Sequence, residues 1–378
     1  MKRLSNRLLS MLSADWWKVF RKRGGDTRYR FGFSWLVYAA LLTGFCLPAY
    51  AQLTIEDFAY TERPVAIDFD PYSPGGRFIV SHSQNTPRSF SQVSLNTRIV
   101  SPFAHISNMS GAEFYHIVLH RSWGPYGPGW VLSPAWRTSG NVLWAIDSAG
   151  NASPVPTSGQ VPTSLNAHTK LRYDPVRDVI YFQNETDNTI YKVSWDSSTS
   201  TARFEVLVQG ISRPEGGAVL PSNPRYGPWS GKLVSLQNGG STIYAIDPDT
   251  GSYTTWNLGI PDLEVIYPLV VNADPIAYPS ELYISVYGQN KIIRVRGLLE
   301  MGVLPGDLLI ATESSGQVYH VWWDGSQFQK RLLLQTGLIE DMIAIPEPGS
   351  LSVMAAGLLL LSARLPGGKR LFRRGCRS

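Results

Sequence analysis

Two stretches of this chain repeat each other at an interval of 100 residues. "YGPGWVLSPAWRTSGNVLWAID" begins at Tyr126 and "YGPWSGKLVSLQNGGSTIYAID" at Tyr226, so Tyr-Gly-Pro and Ala-Ile-Asp (Ala145 and Ala245) both recur in register. A third unit of the same build, "RDVIYFQNETDNTIYKVSWD", lies between them from Arg177. "GGRFIVSHSQNTPRSFSQVSL" from Gly75 precedes them, and it is the least regular. "SELYISVYGQNKIIRVRG" from Ser280 and "GDLLIATESSGQVYHVWWDG" from Gly306 follow. Each unit is an apolar run, a turn of Gly, Asn or Ser, and an alternating run of the "TIYAID" type, which is the pattern of a β-hairpin. A hairpin recurring roughly every 50 residues demands an array of equivalent sheets, and a single β-propeller supplies one: four-stranded blades pack on their neighbours and leave few open edges. The last two hairpins start only about 26 residues apart, so one blade lacks strands or the ring closes irregularly. Six blades fit best, with five or seven left open. A pair of β-sandwiches is the rival fold, and it explains the 100-residue register less well.

Composition agrees with an all-β chain. Among 378 residues there are 12 Trp, 18 Tyr, 14 Phe, 34 Gly and 26 Pro, and only 17% are charged. The net charge of +5 is unevenly spread. Residues 1–51 hold 9 Lys and Arg against 2 Asp and Glu, and residues 346–378 hold 6 against 1. Subtraction from the totals of 34 and 29 leaves 19 basic and 26 acidic residues in 52–345, a net of −7. A nucleic-acid partner needs a basic face on the folded part, and the middle of this chain is acidic.

The ends read as targeting segments. A basic stretch, "WWKVFRKRGGDTRYRFGF", leads into the apolar "WLVYAALLTGFCLP", and Ala49 and Ala51 form an A-x-A site for signal peptidase ahead of Gln52. An uncut N-terminal anchor is the alternative, though the apolar run is short for a span. Phe45 before Cys46 lacks the small side chain that a lipoprotein signal needs. At the other end, Pro346, Glu347 and Pro348 precede an apolar run and then "KRLFRR", whose Arg370, Arg373 and Arg374 form a basic anchor. This tripartite tail resembles the PEP-CTERM sorting signal of exported Gram-negative bacterial proteins, apart from an extra "GCRS" after the arginines. The resemblance implies a transmembrane helix, recognition by an exosortase, cleavage near the Pro-Glu-Pro, and attachment at the cell surface or release, alongside exopolysaccharide. An ordinary tail anchor is the plainer reading. The expected organisation is a signal peptide over 1–51, a propeller over 52–345 and a sorting segment over 346–378. The two cysteines, Cys46 and Cys376, fall in the segments expected to be removed, so the exported domain would rely on apolar burial rather than disulfides.

No catalytic signature stands out: there is no G-x-S-x-G elbow, no P-loop, no H-E-x-x-H and no C-x-x-C. His116 and His120 have the spacing of a zinc pair on a helix, but they lie in a strand-like stretch, where such positions stand about 13 Å apart. "DPDTG" from Asp247 opens like a calcium loop but has no glutamate at loop position 12, and so reads as a hairpin turn. More suggestive are Glu113, Glu215, Glu264 and Glu340, each ahead of a run expected to be an innermost strand. Convergence at one mouth of the channel would raise their pKa values, unless a cation such as Ca²⁺ sat among them. The stretch through "RPEGGAVLP", "GKLVSLQ" and "YAIDPDTG" resembles the sugar-lactone hydrolase and regucalcin-like propellers. That resemblance implies a divalent metal at the channel mouth, and of its ligands only Glu215 has a counterpart here. The plain reading makes these glutamates solvated or paired with Arg63, Arg172 and Arg213. Two functions follow: a surface-sorted, non-catalytic binding or matrix protein of the envelope, or a metal-dependent hydrolase or lactonase.

Overall fold

Each of the six hairpins read from the sequence becomes the middle pair of strands in one sheet. Their apolar runs are buried because a neighbouring blade packs on each face: the strand Val179–Asn184 is buried throughout, and so is Leu308–Thr312. Outermost strands keep one wet side, as in Phe328–Gln335. The computed structural model describes residues 52–346, except 84–88, 107–114, 135–141, 164, 166–168 and 270–278. They form a six-bladed β-propeller.

The first strand, β1 (Thr54–Tyr60), belongs to the last blade. Blade one is β2 (Pro64–Asp70), β3 (Arg77–His82), β4 (Phe90–Ser94) and β5 (Val100–Ala104). Blade two is β6 (Ile117–Val118), β7 (Val131–Pro134), β8 (Leu143–Ile146) and β9 (Ala152–Pro154). The chain then crosses over as β10 (Thr157–Gly159), which pairs in parallel with the outermost strand of blade three. That blade is β11 (Lys170–Asp174), β12 (Val179–Asn184), β13 (Thr189–Asp196) and β14 (Thr201–Gln209). Blade four is β15 (Pro214–Val219), β16 (Leu233–Gln237), β17 (Ile243–Ile246) and β18 (Tyr253–Trp256).

The irregular spacing of the last hairpins has a topological cause. After β19 (Leu263–Pro268), the innermost strand of blade five, the chain builds β20 (Pro279–Val286) and β21 (Lys291–Arg296) in blade six. It then returns to complete blade five with β22 (Leu308–Thr312), β23 (Gln317–Trp323) and β24 (Phe328–Gln335). Finally β25 (Ile339–Pro346) enters blade six as its innermost strand, while β1 pairs with β21 on the outside. The ring is therefore closed by two segments far apart in sequence. Helix is confined to 3₁₀ turns at Pro224–Trp229 and Tyr287–Gln289 among the described residues.

The repeated Tyr-Gly-Pro segments join the first and second strands of blades two and four, where Tyr126 and Tyr226 are buried. Their structural register is not the sequence register, however. The glycine packed on an indole is Gly124 against Trp195 in blade three, whereas in the second copy it is Gly227 against Trp323 in blade five. Each copy thus clasps the following blade.

The innermost strands β2, β6, β11, β15, β19 and β25 line the axis in that order. Their starts share one face, here the entry face, with the turns between second and third strands. Their ends share the exit face, with the turns between first and second and between third and fourth strands. Among the described residues no helix is long and apolar enough to cross a membrane. Pro346 is the last residue of β25; Glu347, Pro348, the basic anchor and the signal-peptide residues lie outside the described residues.

Candidate functional site

The starts of the innermost strands are built by a repeated backbone device. Arg63, Arg213 and Asp262, just ahead of β2, β15 and β19, take left-handed φ values of 40, 45 and 56°. The carbonyl of each accepts from the end of its own second strand: from the N–H of Ser83 (3.2 Å), Asn238 (3.0 Å) and Glu313 (3.0 Å). The side-chain carbonyl of a turn asparagine in the preceding blade accepts from two of them, Asn290 from Arg63 N–H and Asn188 from Arg213 N–H, both at 2.9 Å. The turns at Asn238–Gly240 and Gly288–Asn290 thus occupy equivalent places. A bulge follows at the start of β2, β15, β19 and β25. Bulges re-aim side chains; here Glu264 and Glu340 are the extra residues, skipped by the ladder. Serines of the second strand meet backbone groups that the bulges free, Ser81 Oγ accepting from Ala66 N–H (3.1 Å) and Ser285 Oγ from Asp341 N–H (2.9 Å).

The outcome is a ring of side chains across the axis. Val65, Tyr115, Lys170, Glu215, Glu264 and Glu340 come from blades one to six in turn, and all are buried. Lys170 Nζ lies 2.5 Å from Glu264 Oε1 and 3.3 Å from Glu215 Oε1, and 4.0 Å from the centre of the Tyr115 ring. The Tyr115 hydroxyl is within reach of Glu264 Oε1 (3.3 Å) and Glu340 Oε2 (3.1 Å). Asn238 Nδ2 donates to the other oxygen of Glu215. Lys170 reaches from blade three to blade five, and Tyr115 from blade two to blades five and six, so the axis is filled at this level.

Charge follows from this packing. Burial alone would lower the Lys170 pKa, but the Glu215 and Glu264 carboxylates, with Asp341 beyond, hold it well above its ordinary value. Burial pushes Glu264 well up, and repulsion from Glu215 adds to this; Lys170 offsets only part. Farther along the channel, burial also raises Asp341, with Arg172 and Lys170 opposing. Asp68 is partly buried, and burial raises its carboxyl too, although it accepts from Val118 N–H (2.6 Å) and Phe69 N–H (2.8 Å). An amine so held stays an ammonium at neutral pH and is neither nucleophile nor base.

Of the four glutamates picked from the sequence, the structure brings together Glu215, Glu264 and Glu340; Glu113 lies outside the described residues. Lys170 pairs with Glu215 and Glu264, and Tyr115 reaches Glu340; among the described residues no group of three or more His, Cys, Asp and Glu side chains is placed to hold a metal. The arginines considered as partners act elsewhere. Arg213 pairs with Glu185, and Arg172 donates to the carbonyl oxygens of Gly217 and Leu171. His116 is a core residue with Nε2 at 3.1 Å from Ile79 O, while the His120 ring lies tilted beside Tyr72, with centroids 6.3 Å apart. Asp247 Oδ1 accepts from the N–H of Asp249 and Thr250 and so caps a turn.

A pH dependence follows. Glu264, Asp341 and Asp68 have higher pKa values folded than unfolded, so the folded state retains protons that the unfolded chain has lost. Their contribution to stability falls as pH rises above the ordinary carboxylate range toward the raised values. Lys170, shifted upward, contributes fully below its unfolded pKa of about 10.4 and is constant over that window. Denaturant unfolding should therefore give a larger free energy near about pH 5 than near about pH 8, and Glu264→Gln should flatten the difference. A wild-type profile that rises over this range would contradict the assignment.

No family model matches the chain, and no curated protein matches it. Solved structures to which it is similar include a putative oxidoreductase (glucose dehydrogenase) from Thermus thermophilus, at 14% identity and a TM-score of 0.45 over 76% of this chain and 90% of that one. A glucose dehydrogenase is similar at 13% identity and a TM-score of 0.46, over 74% and 90%. A nidogen/laminin complex is similar at 11% identity and a TM-score of 0.45, over 75% and 84%. At such identities no activity passes from these proteins to this chain.

Proposed function

We propose that this chain is an exported, surface-sorted propeller that works as a non-catalytic binding or matrix protein of the cell envelope. The observation that carries the non-catalytic part is Lys170. Its ammonium takes the place between Glu215 and Glu264 that a catalytic cation would need, and it is buried with the whole ring around it. The address rests on the two ends of the sequence, with signal peptidase and an exosortase as processing partners. The ligand class is exopolysaccharide or another envelope component, suited to a rigid disc with many turns on display.

Processing tests the address. Exported protein should begin at Gln52 and end near the Pro346-Glu347-Pro348 motif when the host carries an exosortase. Changing Arg370, Arg373 and Arg374 to Ser should impair retention before cleavage. A mass that is the same with and without the exosortase would leave a plain anchor and remove the sorting signal.

A further inference from the structure

The innermost strand β25 ends at Pro346 on the exit face. Only four residues separate Pro346 from Leu351, where the apolar run begins. The five steps from Pro346 to Leu351 span at most about 18 Å. If that run is in a bilayer, the exit face is held against the membrane. The other end of the domain leads to the same place. β1 starts at Thr54 opposite Arg296, the exit-face end of β21, so the described residues also begin at this face. An apolar segment at either end, retained in the membrane, turns the same face toward it.

That face is also where the apolar tips are. Nine large apolar side chains are exposed among the described residues. Tyr72, Ile99, Val176, Leu299 and Leu304 stand on exit-face turns, with Ile99 at 64% and Val176 at 85% exposure. Two more, Ile55 and Tyr253, open the strands β1 and β18, which start at this face. Only Tyr60, at the entry-face end of β1, and Leu332, midway along β24, lie elsewhere. Apolar and aromatic side chains on turns are the groups that settle at the boundary of headgroups and acyl chains.

We infer that the exit face is a membrane-docking surface, whose turn tips enter the headgroup layer of the bilayer that holds the chain's apolar segment. The entry face, with its asparagine-capped turns, is then displayed outward. This rests on the reading above of a chain held in the membrane before those cleavages, and the test separates the two. Full-length chain carrying Cys46→Ser and Cys376→Ser is reconstituted into phosphatidylcholine–phosphatidylglycerol vesicles containing a spin-labelled lipid. A fluorophore is placed at Val176→Cys, Leu304→Cys or, as control, Gln289→Cys on an entry-face turn. Flotation reports tethering, and quenching reports orientation. The expected result is a floating chain quenched at 176 and 304 and unquenched at 289, which stands about 20 Å farther from the bilayer, the length of a strand. A floating chain quenched equally at all three sites, or more at 289, overturns the docking face and leaves the tether. A chain that does not float overturns both.

Discussion

Lys170→Met is expected to destabilise the chain by about 3–5 kcal/mol, the range for removing one partner of a buried ion pair. The loss exceeds that of an ordinary core truncation because Glu215 loses its buried counter-charge while Glu264 loses its hydrogen-bond donor. Denaturant unfolding measures it directly. The triple variant Lys170→Met, Glu215→Gln, Glu264→Gln should recover much of the loss, since no ionised group is then left unpaired at that point and residues of one network do not add. A single variant within about 1 kcal/mol of wild type would mean that the carboxyls are neutral without the lysine, and that the ammonium does not hold the ring.

The second large effect is at Gly216, in the bulge that precedes the turn of β15 onto the axis. Its φ is +60°, and a Cβ there would stand 1.7 Å from the backbone oxygen of Glu264 and 2.7 Å from its carbonyl carbon. The obstacle is backbone of the next blade's innermost strand, so no rotamer change relieves it. Gly216→Ala should cost upward of about 3 kcal/mol and disturb the Glu215–Lys170–Glu264 contacts. Gly210→Ala is the control, with φ +76° but nothing within 4 Å of the added carbon. It should cost only the backbone strain, about 1–2 kcal/mol. Equal losses at the two positions would show that conformation alone, and not the approach of blades four and five, decides.

The hairpins were legible because strands packed on both faces must be apolar for several residues and then turn, and that pattern survives in one dimension. The exchange of β20–β21 with the strands of blade five was visible only as a shortened interval. Which blade a hairpin joins depends on how the chain returns, and Ser280 and Gly306 begin hairpins of the same composition. Glu215, Glu264 and Glu340 were found because each follows one apolar or proline residue at the opening of an innermost strand. Lys170 also opens an innermost strand, in "TKLRYD", but it follows a polar threonine and carries the opposite charge. Tyr115 gave no such signal, because its phenol acts across the axis on residues 149 and 225 positions away. The second-strand serines, Ser81 and Ser285, recur in "IVSH" and "YISV", a register clue that only the bulges explain.

The melting temperature of the propeller, recorded with added calcium and then with chelator, bears most directly on whether the axis is closed by the chain's own ammonium. The expected result is one melting temperature in both, with Lys170→Met lowering it in either medium. A melting temperature raised by calcium, with Glu215→Gln removing the gain, would show a cation among the three glutamates in place of Lys170. It would restore the metal-dependent reading of the channel.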